Sequence, residues 1–204
     1  MRSLTTALVV LAVSAVGDVV HAQSTKSDDA TAARSTPVAL ANPGFESREP
    51  GRQGAPVGWW KLQHAGPESY VFDLDSSDPR GGERSLRVIN TGPEPFGTIL
   101  QKVSALPHRG HTLRFAAWIR TENAKGNRYG AGAGLKLHAV RGGYPIAHVS
   151  MRKDAVSGTT GWKRYELMLK VPKDADDIEV GLTLFGMGTA WLDDAELVVV
   201  EPAT

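Results

Sequence analysis

The sequence contains no cysteine among its 204 residues. The chain therefore cannot form disulfides, bind zinc or an iron–sulfur cluster through thiolates, or use a cysteine nucleophile. It also lacks an excess of charge of either sign, because 23 lysines and arginines stand against 22 aspartates and glutamates. A formal net charge of +1 is too small to hold a nucleic-acid backbone or an anionic membrane by charge alone. We therefore expect no nucleic-acid partner.

Motifs of the common catalytic classes are absent as well. The sequence has no Gly-x-Ser-x-Gly elbow, no His-Glu-x-x-His motif and no glycine-rich phosphate loop, and its histidines lack metal-ligand spacing. A hydrolase built on paired carboxylates has four candidates, Asp193, Asp194, Glu179 and Glu196. Acidic residues are common at strand ends, however, and no pattern marks any of these as having a raised pKa. We expect no enzyme activity of the chain's own.

The first 22 residues have the pattern of a secretory signal peptide. Arg2 provides a positive start, residues 7–16 form an apolar run too short to cross a bilayer, and Val20-His21-Ala22 ends as signal peptidases require. A short buried helix is the alternative, but residues 23–35 are rich in polar residues and have no apolar period. We predict a cleaved signal at 1–22, a flexible leader at 23–36, no membrane span and a periplasmic or extracellular protein.

From residue 37 onward, apolar and polar residues alternate with a period of two. The clearest run is 111–121, where Leu113, Phe115 and Ile119 share one face while Trp118 and Arg120 lie on the other. Further candidate strands are 38–41, 70–74, 85–89, 97–103, 134–138, 146–149, 162–171, 177–185 and 189–199. About ten strands without a helix predict an all-β fold, an antiparallel two-sheet jelly-roll β-sandwich. The domain is predicted to span residues 37–200, with a tail at 201–204.

Six short motifs follow one another through this domain. They are Asn42-Pro43-Gly44-Phe45-Glu46, Gly58-Trp59, Gly82-x-x-Ser85-Leu86, Leu113-x-Phe115-x-x-Trp118, Gly161-Trp162 and Gly188-Thr189-Ala190-Trp191-Leu192-Asp193-Asp194. In this order they resemble the carbohydrate-binding modules of families four, nine and twenty-two, which share a galactose-binding-like jelly-roll sandwich. The segments 96–98, 118–122 and 158–165 are similar to a sandwich domain that precedes tail-specific-protease-like and erythromycin-esterase-like domains in secreted bacterial proteins.

This resemblance implies a glycan or polysaccharide bound in the concave groove of one sheet. An indole face can stack on the apolar face of a sugar ring while polar neighbours bind its hydroxyls. We predict that outward-facing residues of several strands form this groove together, with one of the Trp59-Trp60 pair at its edge. The predicted ligand-binding residues are Trp118, Gln101, Arg120, Lys136, His138, Phe185 and Trp60. The alternative is a sandwich that has lost sugar binding and serves protein interaction or envelope assembly, with a separate envelope protein as its partner.

The same resemblance implies a structural calcium ion near the start of the sandwich. Glu46, Asp193 and main-chain carbonyls would hold it, and calcium does take several oxygens from separated segments. The alternative is that Asn-Pro-Gly-Phe-Glu is only the turn with which the sandwich begins. The segment 73–78 has acidic residues at alternate positions but lacks the glycine and distal glutamate of a calcium loop. We interpret that segment as a solvated turn.

Overall fold

The computed structural model describes residues 35–48 and 56–200. The predicted signal peptide, nearly all of the predicted leader and the tail at 201–204 lie outside the described residues. Eleven strands are present: β1 Ser35–Val38, β2 Trp60–Gln63, β3 Tyr70–Asp75, β4 Ser85–Asn90, β5 Phe96–Ser104, β6 Thr112–Lys125, β7 Ala133–Arg141, β8 Tyr144–Ser150, β9 Gly158–Lys170, β10 Asp177–Phe185 and β11 Met187–Val200. The described part of the chain contains no α-helix, and so no helix that could cross a membrane.

The strands form two antiparallel sheets. One has five strands in the order β2-β5-β10-β7-β8, and the other has six, in the order β3-β4-β11-β6-β9 with β1 also paired to β11. Ser35 pairs with Val200, so the first and last described strands are neighbours. The antiparallel two-sheet sandwich predicted from the sequence is confirmed. The paired backbone begins at Ser35, two residues before the predicted start of the domain at residue 37.

The core lies between the two sheets and follows the alternation of the strands. Leu113, Phe115 and Ile119 of β6 are fully buried, as the run at 111–121 predicts. On the facing sheet, Val180 and Leu182 of β10 are fully buried as well. Burial of these apolar faces is the main stabilising contribution to a sandwich of this kind. The inward and outward faces of β6 and β10 were therefore assigned correctly.

Strand β2 was not predicted. It is four residues long, lies at the edge of its sheet and pairs only with β5. Its apolar residues Trp60 and Leu62 alternate with polar ones but are exposed, and four residues are too few for the alternation to indicate a strand. The predicted strand at 38–41 is displaced by three residues, because the pairing partner β11 engages 35–38.

Close packing between the strands of the five-stranded sheet can be tested at Gly181. A Cβ atom added at Gly181 of β10 would lie 2.0 Å from the carbonyl oxygen of Ile99, whereas one added at Gly161 of β9 would meet open space. We expect Gly181→Ala to lower the free energy of unfolding by about 1–3 kcal/mol, because the strands must move apart. Gly161→Ala should change it by less than about 0.5 kcal/mol. Urea unfolding followed by tryptophan fluorescence makes the comparison, and equal stabilities would contradict this packing.

Candidate functional site

The outward face of the five-stranded sheet carries a groove of about 330 Å³. We call this surface, with its lining side chains from β2, β5, β10, β7 and β8, the groove. Its floor is low because small residues face one another across the three central strands: Thr183 of β10 pairs with Thr98 of β5 and with Gly134 of β7. The two threonine hydroxyls lie 2.9 Å apart and form a hydrogen bond. A groove of this size can hold part of a polar ligand laid along the sheet.

Aromatic side chains form one end of the groove. Phe96 pairs directly with Phe185 across β5 and β10, and their ring centroids are 6.1 Å apart. Tyr129, from the loop between β6 and β7, lies 6.3 Å from Phe96 in an edge-to-face arrangement. Phe185 is in the groove as predicted. Phe96 and Tyr129 were not predicted, although Phe96 belongs to one of the segments that carry the resemblance.

Polar side chains form the other end. The Nζ atom of Lys136 donates to Glu179 Oε2 at 3.2 Å, and Lys102 lies 3.4 Å from the second carboxylate oxygen. Burial opposes ionisation of Glu179, but the two lysines outweigh it and hold its pKa below the usual value. His138 lies directly opposite His148, with ring centroids 5.7 Å apart. Burial first, and then the charge of Lys136, lower the pKa of His138 to about 4.

The tryptophan pair at 59 and 60 divides as predicted. Trp59 is 2% exposed and packs on Phe45 with ring centroids 4.9 Å apart. Trp60 is 49% exposed and stands on the edge strand β2, opposite Leu100 and beside the groove. The structure therefore brings Lys136, His138 and Phe185 together in the groove, with Trp60 at its border.

Trp118 and Arg120 lie elsewhere, and their predicted place in the groove is wrong. Both belong to β6, which is a strand of the six-stranded sheet, so they face outward on the opposite side of the sandwich. Arg80 covers the Trp118 ring at 4.2 Å. Arg120 lies 3.8 Å from the Trp191 ring and forms an ion pair with Asp78 at 3.1 Å. Lys136 and His138 belong to β7, and the chain crosses to the other sheet between β6 and β7.

Gln101 does not line the groove either. It faces inward on β5, is 4% exposed, and pairs with Val180 of β10. Its Oε1 atom accepts the N–H of Ala41 at 2.7 Å, and its Nε2 atom donates to the Ala41 carbonyl at 2.9 Å. A buried amide with both of its ends bonded to one backbone residue anchors that segment. The predicted place of Gln101 in the ligand site is therefore wrong.

The two predicted calcium ligands do approach the same loop, residues 80–84. Asp193 Oδ2 accepts the N–H groups of Arg80 at 2.9 Å and Gly81 at 3.2 Å, and Glu46 accepts the N–H of Glu83 through both oxygens. Both carboxylates therefore clamp the loop through its N–H groups. Among the residues that the structure describes, no group of three or more acidic or histidine side chains could hold a metal ion. The calcium site of two carboxylates and main-chain carbonyls stays a prediction.

A second cavity of about 780 Å³ lies at one end of the sandwich, between the loops that follow β4, β6 and β10. We call it the end cavity. His64 Nδ1 and Glu94 Oε2 lie 3.1 Å apart on its wall, and Lys125 and Arg128 also line it. Tyr129 lines both the end cavity and the groove, so the two adjoin at this residue. No sequence pattern marked the end cavity, because loops build it.

Comparison of sequences gives one curated relative. No protein-family model matches the sequence. An uncharacterised HTH-type transcriptional regulator of Bacillus subtilis (strain 168), YbfP, is 26% identical over 137 residues. The match takes in 66% of this chain and 45% of the regulator, so the chain spans less than half the length of the relative it matches.

Solved structures match the fold over most of the chain. The enzymatically active domain of tailspike protein 4 of bacteriophage CBA120 has a TM-score of 0.59 and 13% identity over 79% of this chain and 21% of its own. A cyclase from Fischerella sp. TAU has a TM-score of 0.56 and 14% identity over 84% of this chain and all of its own. A family 4 carbohydrate-binding module has a TM-score of 0.53 and 13% identity over 79% and 99%. The jelly-roll sandwich fold expected from the sequence motifs is confirmed.

The clamp at loop 80–84 makes a prediction about calcium. Because N–H groups already occupy the carboxylates of Glu46 and Asp193, an ion would have to displace these hydrogen bonds to bind. We expect the melting temperature to be the same in about 5 mM calcium chloride as in about 5 mM EGTA. Differential scanning fluorimetry measures both. A rise of several degrees with calcium that Asp193→Asn abolishes would show instead that these carboxylates hold a metal.

The histidine in the groove makes a prediction about pH. The pKa of His138 is about 4 in the folded protein against 6.5 in the unfolded chain, so the unfolded chain binds the extra proton between these values. Stability should therefore fall as the pH drops from 6.5 to 4, by up to about 1.4 kcal/mol per unit. Asp193 acts in the opposite sense, because burial raises its pKa to about 6, so a variant is needed to separate the two.

His138→Gln removes the titration of the imidazole and leaves that of Asp193. The change of unfolding free energy per pH unit between pH 4 and 6.5 should therefore be smaller in the variant than in the parent, by up to about 1.4 kcal/mol per unit. Urea unfolding at several pH values measures the slope for variant and parent. Above about pH 8 the imidazole is neutral in both states, so the two slopes should coincide there, which serves as the control. Equal slopes below pH 6.5 would contradict a neutral, partly buried His138.

Proposed function

We propose that this chain is a non-catalytic glycan-binding β-sandwich, and that the groove on the five-stranded sheet is its binding surface. The observation that carries the proposal is the pair Phe96 and Phe185 at the end of a groove whose floor holds hydrogen-bonding groups. Aromatic faces stack on the apolar faces of sugar rings, and hydroxyl, ammonium and imidazole groups bind sugar hydroxyls. The groove combines both kinds of group along one line.

The floor supports binding of a chain rather than of a small compact molecule. The hydroxyls of Thr98 and Thr183 bond to each other and keep lone pairs that can accept from a ligand. Trp60, 49% exposed at the border, offers a second aromatic face along the direction of the strands. A sugar chain lying along the strands would contact Phe185, then the floor, then Trp60.

The electrostatics of the groove support binding without catalysis. Glu179 is held between Lys136 and Lys102, and its lowered pKa makes it a poor proton donor near neutral pH. His138 is neutral there because burial lowers its pKa to about 4, which makes it a weak base. Neither group is tuned for acid–base chemistry at neutral pH.

The likeness to a family 4 carbohydrate-binding module adds support at the level of the fold. The signal-peptide pattern at 1–22 adds that the domain works in the periplasm or outside the cell, where polysaccharides are found. The alternative, a sandwich that serves protein interaction, uses the same fold without a glycan. The two differ in whether any polysaccharide is bound through the groove.

Substitution of aromatic residues on the two sheets tests the proposal. Phe185→Ala removes a stacking face from the groove, and we expect it to weaken glycan binding about tenfold. Trp118→Ala is the matched control, since its ring lies on the other sheet beneath Arg80. Affinity electrophoresis in soluble polysaccharides, with pull-down on insoluble ones, measures binding, and circular dichroism checks the fold.

The outcomes separate the hypotheses. Loss of binding in Phe185→Ala and retention in Trp118→Ala supports the groove. The reverse pattern would place the ligand on the six-stranded sheet. If neither the parent nor the variants bind any glycan, the proposed function is wrong and the protein-interaction alternative takes its place.

A further inference from the structure

Three basic side chains converge where the groove meets the end cavity. Arg128 donates to the Tyr129 hydroxyl at 2.9 Å and its guanidinium lies 4.9 Å from the Tyr129 ring. Arg152 donates from Nε to the Tyr129 carbonyl oxygen and lines the groove. Lys125 lines the end cavity beside them. All three are exposed, and each lines one of the two cavities that meet at Tyr129; we call Lys125, Arg128 and Arg152 the basic cluster.

The members of the basic cluster have no carboxylate partners in the described part of the chain. Among the described residues, no Asp or Glu forms a salt bridge with Lys125, Arg128 or Arg152. Most other described arginines do have one: Arg48, Arg87, Arg109, Arg114, Arg120, Arg141 and Arg164. Unneutralised positive charge therefore collects at the junction of the two cavities.

Carboxylates are few around this junction. Glu94 lines the end cavity together with Lys125 and Arg128, and its Oε2 atom accepts the N–H of Ala65 at 3.0 Å. No Asp or Glu is among the described residues that line the groove, where Arg152 and Lys136 lie. Cations therefore outnumber carboxylates in the lining of the two cavities, so an approaching anion would meet an excess of positive charge.

We infer that the glycan bound by this protein is acidic, with carboxylate groups that pair with the basic cluster as the chain passes from the groove over Tyr129. This inference rests on the proposed function and adds the class of ligand to it. A guanidinium has five N–H donors in a planar fork, so Arg128 and Arg152 keep donors for a carboxylate after bonding Tyr129. Arg128 covers the Tyr129 ring, so the stacking face comes from Phe96 and Phe185 at the adjoining end of the groove. A uronic-acid residue presents both a ring face and a carboxylate, which matches this arrangement.

Polygalacturonate tests the inference because its carboxylates can be masked without changing the sugar backbone. We expect low-ester polygalacturonate to bind about tenfold more tightly than the highly methyl-esterified polymer. Raising sodium chloride from about 50 to about 500 mM should remove most of this preference, because salt screens exposed charges. A parallel arm with dextran sulfate against dextran shows whether sulfate is accepted in place of carboxylate. Isothermal titration calorimetry and affinity electrophoresis measure both arms.

Variants locate the effect. Arg128→Gln combined with Arg152→Gln should weaken binding of the low-ester polymer roughly five- to tenfold and leave the esterified polymer unchanged. The matched control is Lys163→Gln with Lys170→Gln, which removes the same charge from exposed positions on β9 of the other sheet. A control that weakens binding equally would mean that only net charge matters, and would overturn the assignment to the cluster.

Failure of this inference can be told apart from failure of the proposed function. If neutral glycans bind through Phe185 and esterification makes no difference, the groove is a glycan site but the acidic preference is wrong. If no polymer binds, acidic or neutral, both are wrong. Binding of the acidic polymer that survives Phe185→Ala and fails in the Arg128/Arg152 double variant would support the cluster without the groove.

Discussion

The pairing of β10 with β5 and β7 decides which side chains the groove contains. The register sets Thr183 beside Thr98 and Gly134 on the outward face, while Val180 and Leu182 point into the core. A slip by one residue would exchange these two sets and expose the apolar face to water. Because the core alternation resists this slip, the low polar floor of the groove follows from the packing of the sandwich interior.

The two outward faces of the sandwich differ in what covers their aromatic rings. On the six-stranded sheet, guanidinium groups cover the indoles: Arg80 lies 4.2 Å from the Trp118 ring and Arg120 lies 3.8 Å from the Trp191 ring. In the groove, Phe96 and Phe185 pack against each other and against His64 and Tyr129, and Gly130 lies close to the Phe185 ring. No arginine or lysine is found over the rings of Phe96 and Phe185 among the described residues, which favours the five-stranded sheet as the binding surface.

The fold could be predicted because the alternation of apolar and polar residues is a local signal. Part of the site was misplaced because the sheet to which a strand belongs is set by long-range pairing, which the local sequence does not show. The faces of β6 and β10 could be assigned from period two alone. Whether β6 and β7 share a sheet depends on whether the connection between them passes from one sheet to the other, and no local sequence pattern indicates this. Trp118 was therefore assigned to the correct face of its strand but to the wrong surface of the molecule. Tyr129 was not predicted because it lies in a loop, where the sequence has no periodic pattern of apolar residues.

The net charge of the sequence likewise does not reveal where charged side chains lie on the surface. A net charge of +1 argues against a nucleic-acid partner, yet it is a sum over the whole chain and says nothing about local surplus. At physiological salt, exposed charges interact over only about 8 Å, so a ligand at Tyr129 responds to Arg128 and Arg152 and not to the acidic groups on the other sheet. Arg128 and Arg152 have no carboxylate partner among the described residues and lie beside the same tyrosine, which is the reason to expect anion recognition there. The specificity of this surface is then decided by three side chains that composition alone cannot distinguish from the rest.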